Sequence, residues 1–216
     1  MSNLRSIGTA VGLTALLAAP MMASGNLLTN GGFDTSPELT QAEGGWGFFN
    51  PDLVPGWDSE TNKIEIWKSG FNDVEAYNGE GQFAELNAHP ETGNAFTLFQ
   101  DIVTNIGQSY ELTFAYRARS GSGTESFNVT AGDITDGGLT QNIANTSSTG
   151  WTVFSGMFTA SEELTRLMFT SVNPETETLG NFLDEVSVIA KVPEPGTLAL
   201  LGLGLAGLGL SRRRKS

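Results

Sequence analysis

Carboxylates are the reactive groups this chain has in quantity. Of 216 residues, 24 are Asp or Glu, one is His and none is Cys. The lack of thiols excludes cysteine nucleophiles and thiolate metal sites. The single histidine, His89, lies in Asn87-Ala-His89-Pro-Glu-Thr-Gly93, which reads as a loop and gives a serine triad little to stand on. Glu65 and Glu85 are the pair that a carboxylate-dependent glycoside hydrolase would use. In so acidic a chain such a pair arises by composition alone. No nucleophile elbow, phosphate-cradling loop or histidine cluster accompanies it, so the reading is a protein without catalytic residues.

A binding role suits the same residues better. Sugar sites set an aromatic ring against the apolar face of a pyranose and use acids and amides for its hydroxyls. In Ile64-Glu65-Ile66-Trp67, isoleucines turned to a core would send Glu65 and Trp67 outward together. Glu85 and Asn87 share one face of the next segment, and Arg117 that of another. A sheet surface carrying Glu65, Trp67, Glu85, Asn87 and Arg117 is the candidate carbohydrate site. The competing reading makes Trp67 a core residue and pairs Glu65 with Arg117 across strands, for little energetic gain.

Those placements require strands. Tyr110, Leu112, Phe114, Tyr116 and Ala118 alternate with Glu111, Thr113, Ala115, Arg117 and Arg119, which predicts a long strand with one buried face. Shorter alternations occur at 64–67, 83–86, 96–99, 127–129 and 151–158, with further strands expected at 164–170 and 182–189. Asn78-Gly79, Gly121-Ser-Gly123, Asp136-Gly-Gly138 and Ser148-Thr-Gly150 mark turns between them. The fold expected is all-β, an antiparallel β-sandwich of jelly-roll type. Residues 38–58 read as a long ordered loop pinned by Trp46, Phe48, Phe49 and Trp57.

The sandwich occupies residues 26–191. This interval holds 23 of the 24 acids and six bases, a net of −17. Such a body repels nucleic acid, which is excluded as a partner. Before it, Arg5, the apolar stretch Ile7 to Ala19 and the small residues Ala23, Ser24 and Gly25 have the order of a signal peptide over 1–25. After it come Pro193-Glu194-Pro195, an uncharged run from Thr197 to Leu210, and Arg212-Arg213-Arg214-Lys215. As a helix, Thr197 to Ser211 spans roughly 22 Å against a hydrocarbon core of ~30 Å, a short transmembrane segment. The cations after it favour a cytoplasmic C-terminus and leave the body outside.

The segment 192–216 resembles the PEP-CTERM sorting signal of Gram-negative bacteria. The resemblance implies that an exosortase-type membrane protease recognises Pro193, Glu194 and Pro195. It further implies a transient anchor in the inner membrane, with Arg212, Arg213 and Arg214 as the basic stop, and a mature protein at the cell surface or beyond.

A second resemblance concerns the body. Asn26-Leu-Leu-Thr-Asn30-Gly-Gly-Phe-Asp34 and Leu183-Asp184-Glu185-Val-Ser-Val188 are similar to the opening and closing strands of galactose-binding-like jelly rolls, carbohydrate-binding modules among them. In those folds the two strands lie side by side, and many members hold a structural Ca²⁺ there. The resemblance makes Ca²⁺ the implied cofactor, with Asn30, Asp34, Asp184 and Glu185 as its ligands here. No contiguous twelve-residue loop of the EF-hand type exists. The alternative is a tight turn at Asn30-Gly31 capped through hydrogen bonds by Asp184. The function expected is thus an exported, non-catalytic surface or matrix protein that binds polysaccharide. An adhesive protein with a protein partner, or a glycoside hydrolase, stands as the alternative.

Overall fold

The computed structural model describes residues 25–39, 44–87, 95–121, 123–144, 147–173 and 179–191, together with Gly204. The signal segment, His89, Pro193, Glu194, Pro195 and Arg212 to Arg214 lie outside the described residues. Ser24–Val192 forms one compact unit. No helix among the described residues is long and apolar enough to cross a membrane.

Ten strands follow in chain order: β1 (Trp46–Phe49), β2 (Ile64–Lys68), β3 (Gln82–Glu85), β4 (Thr97–Val103), β5 (Ser109–Ala118), β6 (Ser126–Ala131), β7 (Leu139–Ile143), β8 (Thr152–Thr159), β9 (Leu164–Asn173) and β10 (Asn181–Ala190). They form a six-stranded sheet in the order β1-β2-β3-β10-β5-β8 and a four-stranded sheet in the order β4-β9-β6-β7. Every pairing is antiparallel. This is the expected all-β sandwich. A two-residue side-chain period lets each sheet turn one face inward. Ile64, Ile66, Leu112, Phe114, Leu183 and Val188 point in from the larger sheet and meet Leu98, Phe127, Val129, Leu167 and Phe169 from the smaller, all buried.

Two strands differ from the sequence reading. Residues 46–49, expected within a loop, pair with β2, Trp46 opposite Trp67 and Phe49 opposite Ile64. Residues 50–58 are pinned as expected, with Trp57 buried, stacked 5.1 Å from Phe33 and donating Nε1–H to the Asn30 carbonyl at 2.9 Å. Strand β7, Leu-Thr-Gln-Asn-Ile, carries little apolar alternation because it is an edge strand in which only Ile143 is buried. Edge positions make no such demand on sequence.

The opening segment lies along β10, although it forms no regular strand. Leu27 N–H donates to Val188 O at 2.9 Å, and Val186 N–H to Gly31 O at 2.9 Å. Asn26 completes the clasp: its Nδ2 donates to Val186 O at 3.0 Å, and its Oδ1 accepts Val188 N–H at 2.9 Å. Gly31 permits this approach, since a Cβ there would collide with the Val186 carbonyl oxygen. Gly31→Ala is expected to lower the melting temperature by roughly 5 °C, the effect of losing ~2 kcal/mol in a domain of this size. Thermal denaturation checks it, and an unchanged melt would show the clasp to be dispensable.

Candidate functional site

The outward face of the six-stranded sheet carries the side chains that the isoleucine pattern of β2 sends away from the core. Glu65 lies opposite Glu85, and Trp67 opposite Phe83. Glu85 in turn lies opposite Phe182. The parity is the expected one, but this half of the face is closed. Glu65, Trp67, Glu85 and Asn87 are all at least 98% buried. No sugar ring reaches them, and the open platform expected at Trp67 is corrected accordingly.

The residues between β2 and β3 provide much of the cover. Phe71, Val74 and Ala76 lie over Trp67, Phe83 and Phe182 and make a second apolar cluster outside the sandwich core, with Trp151 at its margin. Trp67 packs 4.9 Å from Phe182 and 5.1 Å from Phe71, and Phe83 meets Trp151 edge-on at 5.6 Å. Ser69 ties the loop together. Its hydroxyl oxygen donates to Glu75 Oε2 at 2.6 Å and accepts Ala76 N–H at 2.9 Å. Asn72 and Asp73 take left-handed backbone angles that tighten the turn.

Beside this cluster sits a buried ionic group. Trp67 Nε1–H donates to Glu65 Oε1 at 2.9 Å. Arg119 Nη1 donates to Glu85 Oε2 at 3.0 Å, while its guanidinium stacks 4.6 Å above the Trp67 ring. Gly180 N–H donates to Glu85 Oε1 at 2.7 Å. Burial, reinforced by the neighbouring Glu85, pushes Glu65 up to about 9. Burial also raises Glu85, against the lowering pull of Arg119. The pair therefore keeps a proton at neutral pH. The arginine is Arg119 rather than Arg117. Arg117, on the same face two residues earlier, donates instead to the Ser148 carbonyl, and its Nε has no hydrogen-bond partner, nor has Asn87 Nδ2.

The other half of the face is open. Between β5, β8, β10 and the tip of the 69–81 loop runs a groove of about 330 Å³. Its floor is Thr113, Ala115 and Val153, and its walls are Tyr77, Asn78, Glu185 and Ser187. Tyr77 is exposed and meets Trp151 edge-on at 6.4 Å. Asn78 Nδ2 donates to Glu185 Oε1 at 2.6 Å. Glu185 reaches this position because β10 slips register between Asp184 and Ser187, with a left-handed Glu185 at the bulge. Sequence reasoning missed the groove. Its one usable signal was an aromatic followed by an amide in the turn Tyr77-Asn78-Gly79.

Asp34, Asp184 and Glu185 do approach one another, as the clasp of the opening segment on β10 requires. Each of them already has an oxygen engaged in a hydrogen bond. Asp184 accepts Tyr77 N–H and Glu185 N–H, both at 2.8 Å. Asp34 Oδ1 accepts Gln82 N–H at 2.9 Å, and Asn30 Oδ1 accepts Thr35 N–H at 3.0 Å. Burial first, then Glu185 and Asp34, push Asp184 up to about 7 against its backbone hydrogen bonds. Among the described residues no group of three or more His, Asp or Glu is arranged to hold a metal ion. As placed, Asn30, Asp34, Asp184 and Glu185 do not fit Ca²⁺; Asp184 caps the 69–81 loop at Tyr77 rather than the Asn30-Gly31 turn.

Residues 26–189 match a family described as a protein of unknown function, DUF642, and residues 191–215 match the PEP-CTERM protein-sorting motif. No curated protein matches the chain. Among solved structures, an arabinose-bound α-L-arabinofuranosidase superposes with a TM-score of 0.56 at 12% identity. That alignment covers 80% of this chain and 27% of the arabinofuranosidase, so the chain spans about a quarter of that protein. The CBM22-1 xylan-binding domain from Paenibacillus barcinonensis gives 0.48 at 18% identity, covering 81% and 100% of the two chains. A Stig cyclase from Fischerella sp. TAU gives 0.49 at 20% identity, covering 80% and 100%. At 12% identity the likeness to the arabinofuranosidase is one of fold alone.

Proposed function

The chain belongs to the DUF642 family and ends in a PEP-CTERM sorting motif, and on that premise we propose that it is an exported, non-catalytic protein whose sandwich binds a neutral polysaccharide. The observation that carries the reading is the open groove. Tyr77 offers an exposed aromatic ring, and Asn78, Glu185, Thr113 and Ser187 are the polar residues that line the groove with it. That combination of one apolar platform and several short hydrogen-bonding side chains is what a sugar ring requires. The net of −17 on the body favours uncharged glycans over uronic-acid polymers.

The absence of catalysis rests on the position of the carboxylates. Glu65 and Glu85, the acid pair of the hydrolase alternative, are buried and shielded from a substrate. Sorting follows from the tail: the apolar run holds the protein in the inner membrane until an exosortase-type protease acts at Pro193-Glu194-Pro195, and the body is then released to the surface or matrix.

Affinity electrophoresis against neutral polysaccharides such as xylan, β-glucan and galactan tests the binding. Tyr77→Ala is expected to weaken it about tenfold, the loss of one ring contact worth ~1.5 kcal/mol. Silence of the parent protein across the panel, or binding unchanged in Tyr77→Ala, would overturn the reading and favour a protein partner.

A further inference from the structure

The four most exposed large apolar side chains among the described residues are Val103 (76%), Ile106 (66%), Ile134 (57%) and Leu164 (56%). They come from three different connections, yet all lie at one end of the sandwich. Val103 ends β4 and pairs with Leu164 at the start of β9. Ile106 sits in the following turn, where Gly107 N–H donates to Ala160 O and Thr104 N–H to Glu163 O. Ile134 tips the β6–β7 connection, which is tied to the same end by Gly132 N–H to Arg166 O and Thr159 N–H to Gly137 O.

Both ends of the body leave by this end as well. Leu27 is bonded to Val188, and Lys191 N–H donates to Ser109 O beside the 104–108 turn. From Lys191 only six residues lead to Thr197, where the uncharged run begins. Six residues reach at most about 20 Å, so a bilayer holding that run lies within a short tether of the Lys191 end.

We propose that this end of the sandwich is a membrane-facing surface, with Val103, Ile106, Ile134 and Leu164 resting in the interfacial layer of the bilayer while the tail is anchored. The inference rests on the membrane reading of the tail and goes beyond it, because it assigns an orientation and a lipid contact to the folded body. Isolated apolar tips on loops suit the headgroup boundary, where each buries side-chain area without displacing backbone hydrogen bonds. The charges at this end select the lipid. Asp133, Asp136, Glu162 and Glu163 are exposed there, while the nearby cations Arg166 and Lys191 are paired with Asp101 and Glu111. An excess of uncompensated acid disfavours anionic lipid and leaves zwitterionic headgroups as the surface that fits.

The chain contains no cysteine, so a single one can be placed and labelled without background. The full-length protein carrying Ile106→Cys or, at the opposite end, Thr149→Cys would be labelled with a fluorophore and reconstituted into brominated phosphatidylcholine vesicles. Quenching is expected to be several-fold stronger at position 106 than at position 149, and to weaken when phosphatidylglycerol is added. Equal quenching at the two positions in vesicle-bound protein would overturn the orientation and leave the sorting reading intact. Failure of the protein to associate with vesicles would sink both. Disulfide-linked pairs of unlabelled Ile106→Cys protein, together with no lipid quenching of the labelled protein, would assign the face to a second copy of the chain and overturn the proposal.

Discussion

Trp67→Ala should melt roughly 10 °C below the parent protein, the shift expected when an aromatic-to-alanine change costs ~3–5 kcal/mol in a domain of this size. Trp67 is the residue on which the outer cluster converges, touching Phe71, Phe83 and Phe182 with ring centroids 4.9 to 6.2 Å away. Its loss removes three further things. The Arg119 guanidinium loses the ring beneath it, Glu65 loses the indole donor, and the 69–81 loop loses the surface it covers. A buried carboxyl without its donor is a cost beyond the cavity itself. Trp67→Phe, which keeps the ring but not the N–H, should fall between the two. Because the loop carries Tyr77 into the groove, the glycan binding proposed for that groove should weaken in Trp67→Ala although Trp67 itself is buried. A shift within about 2 °C, the scale of a surface substitution, would show that the cluster is not a second core.

Glu65→Gln should act in the opposite direction and stabilise the protein at neutral and alkaline pH. The folded-state pKa of Glu65 is raised from 4.5 to about 9, so the folded protein holds a proton that the unfolded chain releases. Stability is then fully present below pH 4.5 and declines as pH rises towards 9. At pH 7 the retained proton costs about 3 kcal/mol, from 1.36 kcal/mol for each unit between 4.5 and 7. A glutamine amide accepts the Trp67 N–H and donates to Glu85 with no proton to hold. The variant should therefore gain several degrees at pH 8, converge with the parent near pH 4.5 and flatten the slope between. Glu65→Ala, which leaves the indole N–H unpaired, should not reproduce the gain. Superimposable pH–stability curves for the parent and Glu65→Gln would mean that the proton is not held.

The two substitutions mark where sequence reading ended. Alternation in Ile64-Glu65-Ile66-Trp67 was enough to assign each side chain to the correct side of β2. Whether the outer side meets water was decided by Phe71, Val74 and Ala76, which lie in a stretch of turns with no period to betray a packing role. The competing reading, Trp67 in a core, is the arrangement the structure has. The cross-strand ion pair also exists, but between Glu85 and Arg119, since strand period alone cannot tell which of two arginines on one face reaches a given carboxylate. The groove was hidden for a different reason. Glu185 enters it through a register slip in β10 that follows no residue-type rule, and Tyr77 through a loop whose course depends on the cluster beneath. Pairing of the opening segment with β10 was accessible through resemblance. The ligation drawn from that resemblance was not, because Asp34 and Asp184 accept backbone N–H groups and Glu185 accepts the Asn78 amide.

The place of β10 in the sheet bears on how the chain reaches its folded state. It is the last strand in sequence, yet it lies between β3 and β5, bonded to both, with the opening segment clasped to it as well. A chain emerging N-terminus first, from a ribosome or through a translocation channel, therefore presents β3 and β5 as unpaired edges until residue 190 is free. Closure waits for the final tenth of the body, and the long sequence separation of these contacts makes it slow. Until then two apolar edges are open to other chains, which is the condition under which holding factors are needed and under which C-terminal truncations aggregate. Completion of the sheet therefore falls at the very end of the body, immediately before the residues that match the sorting motif.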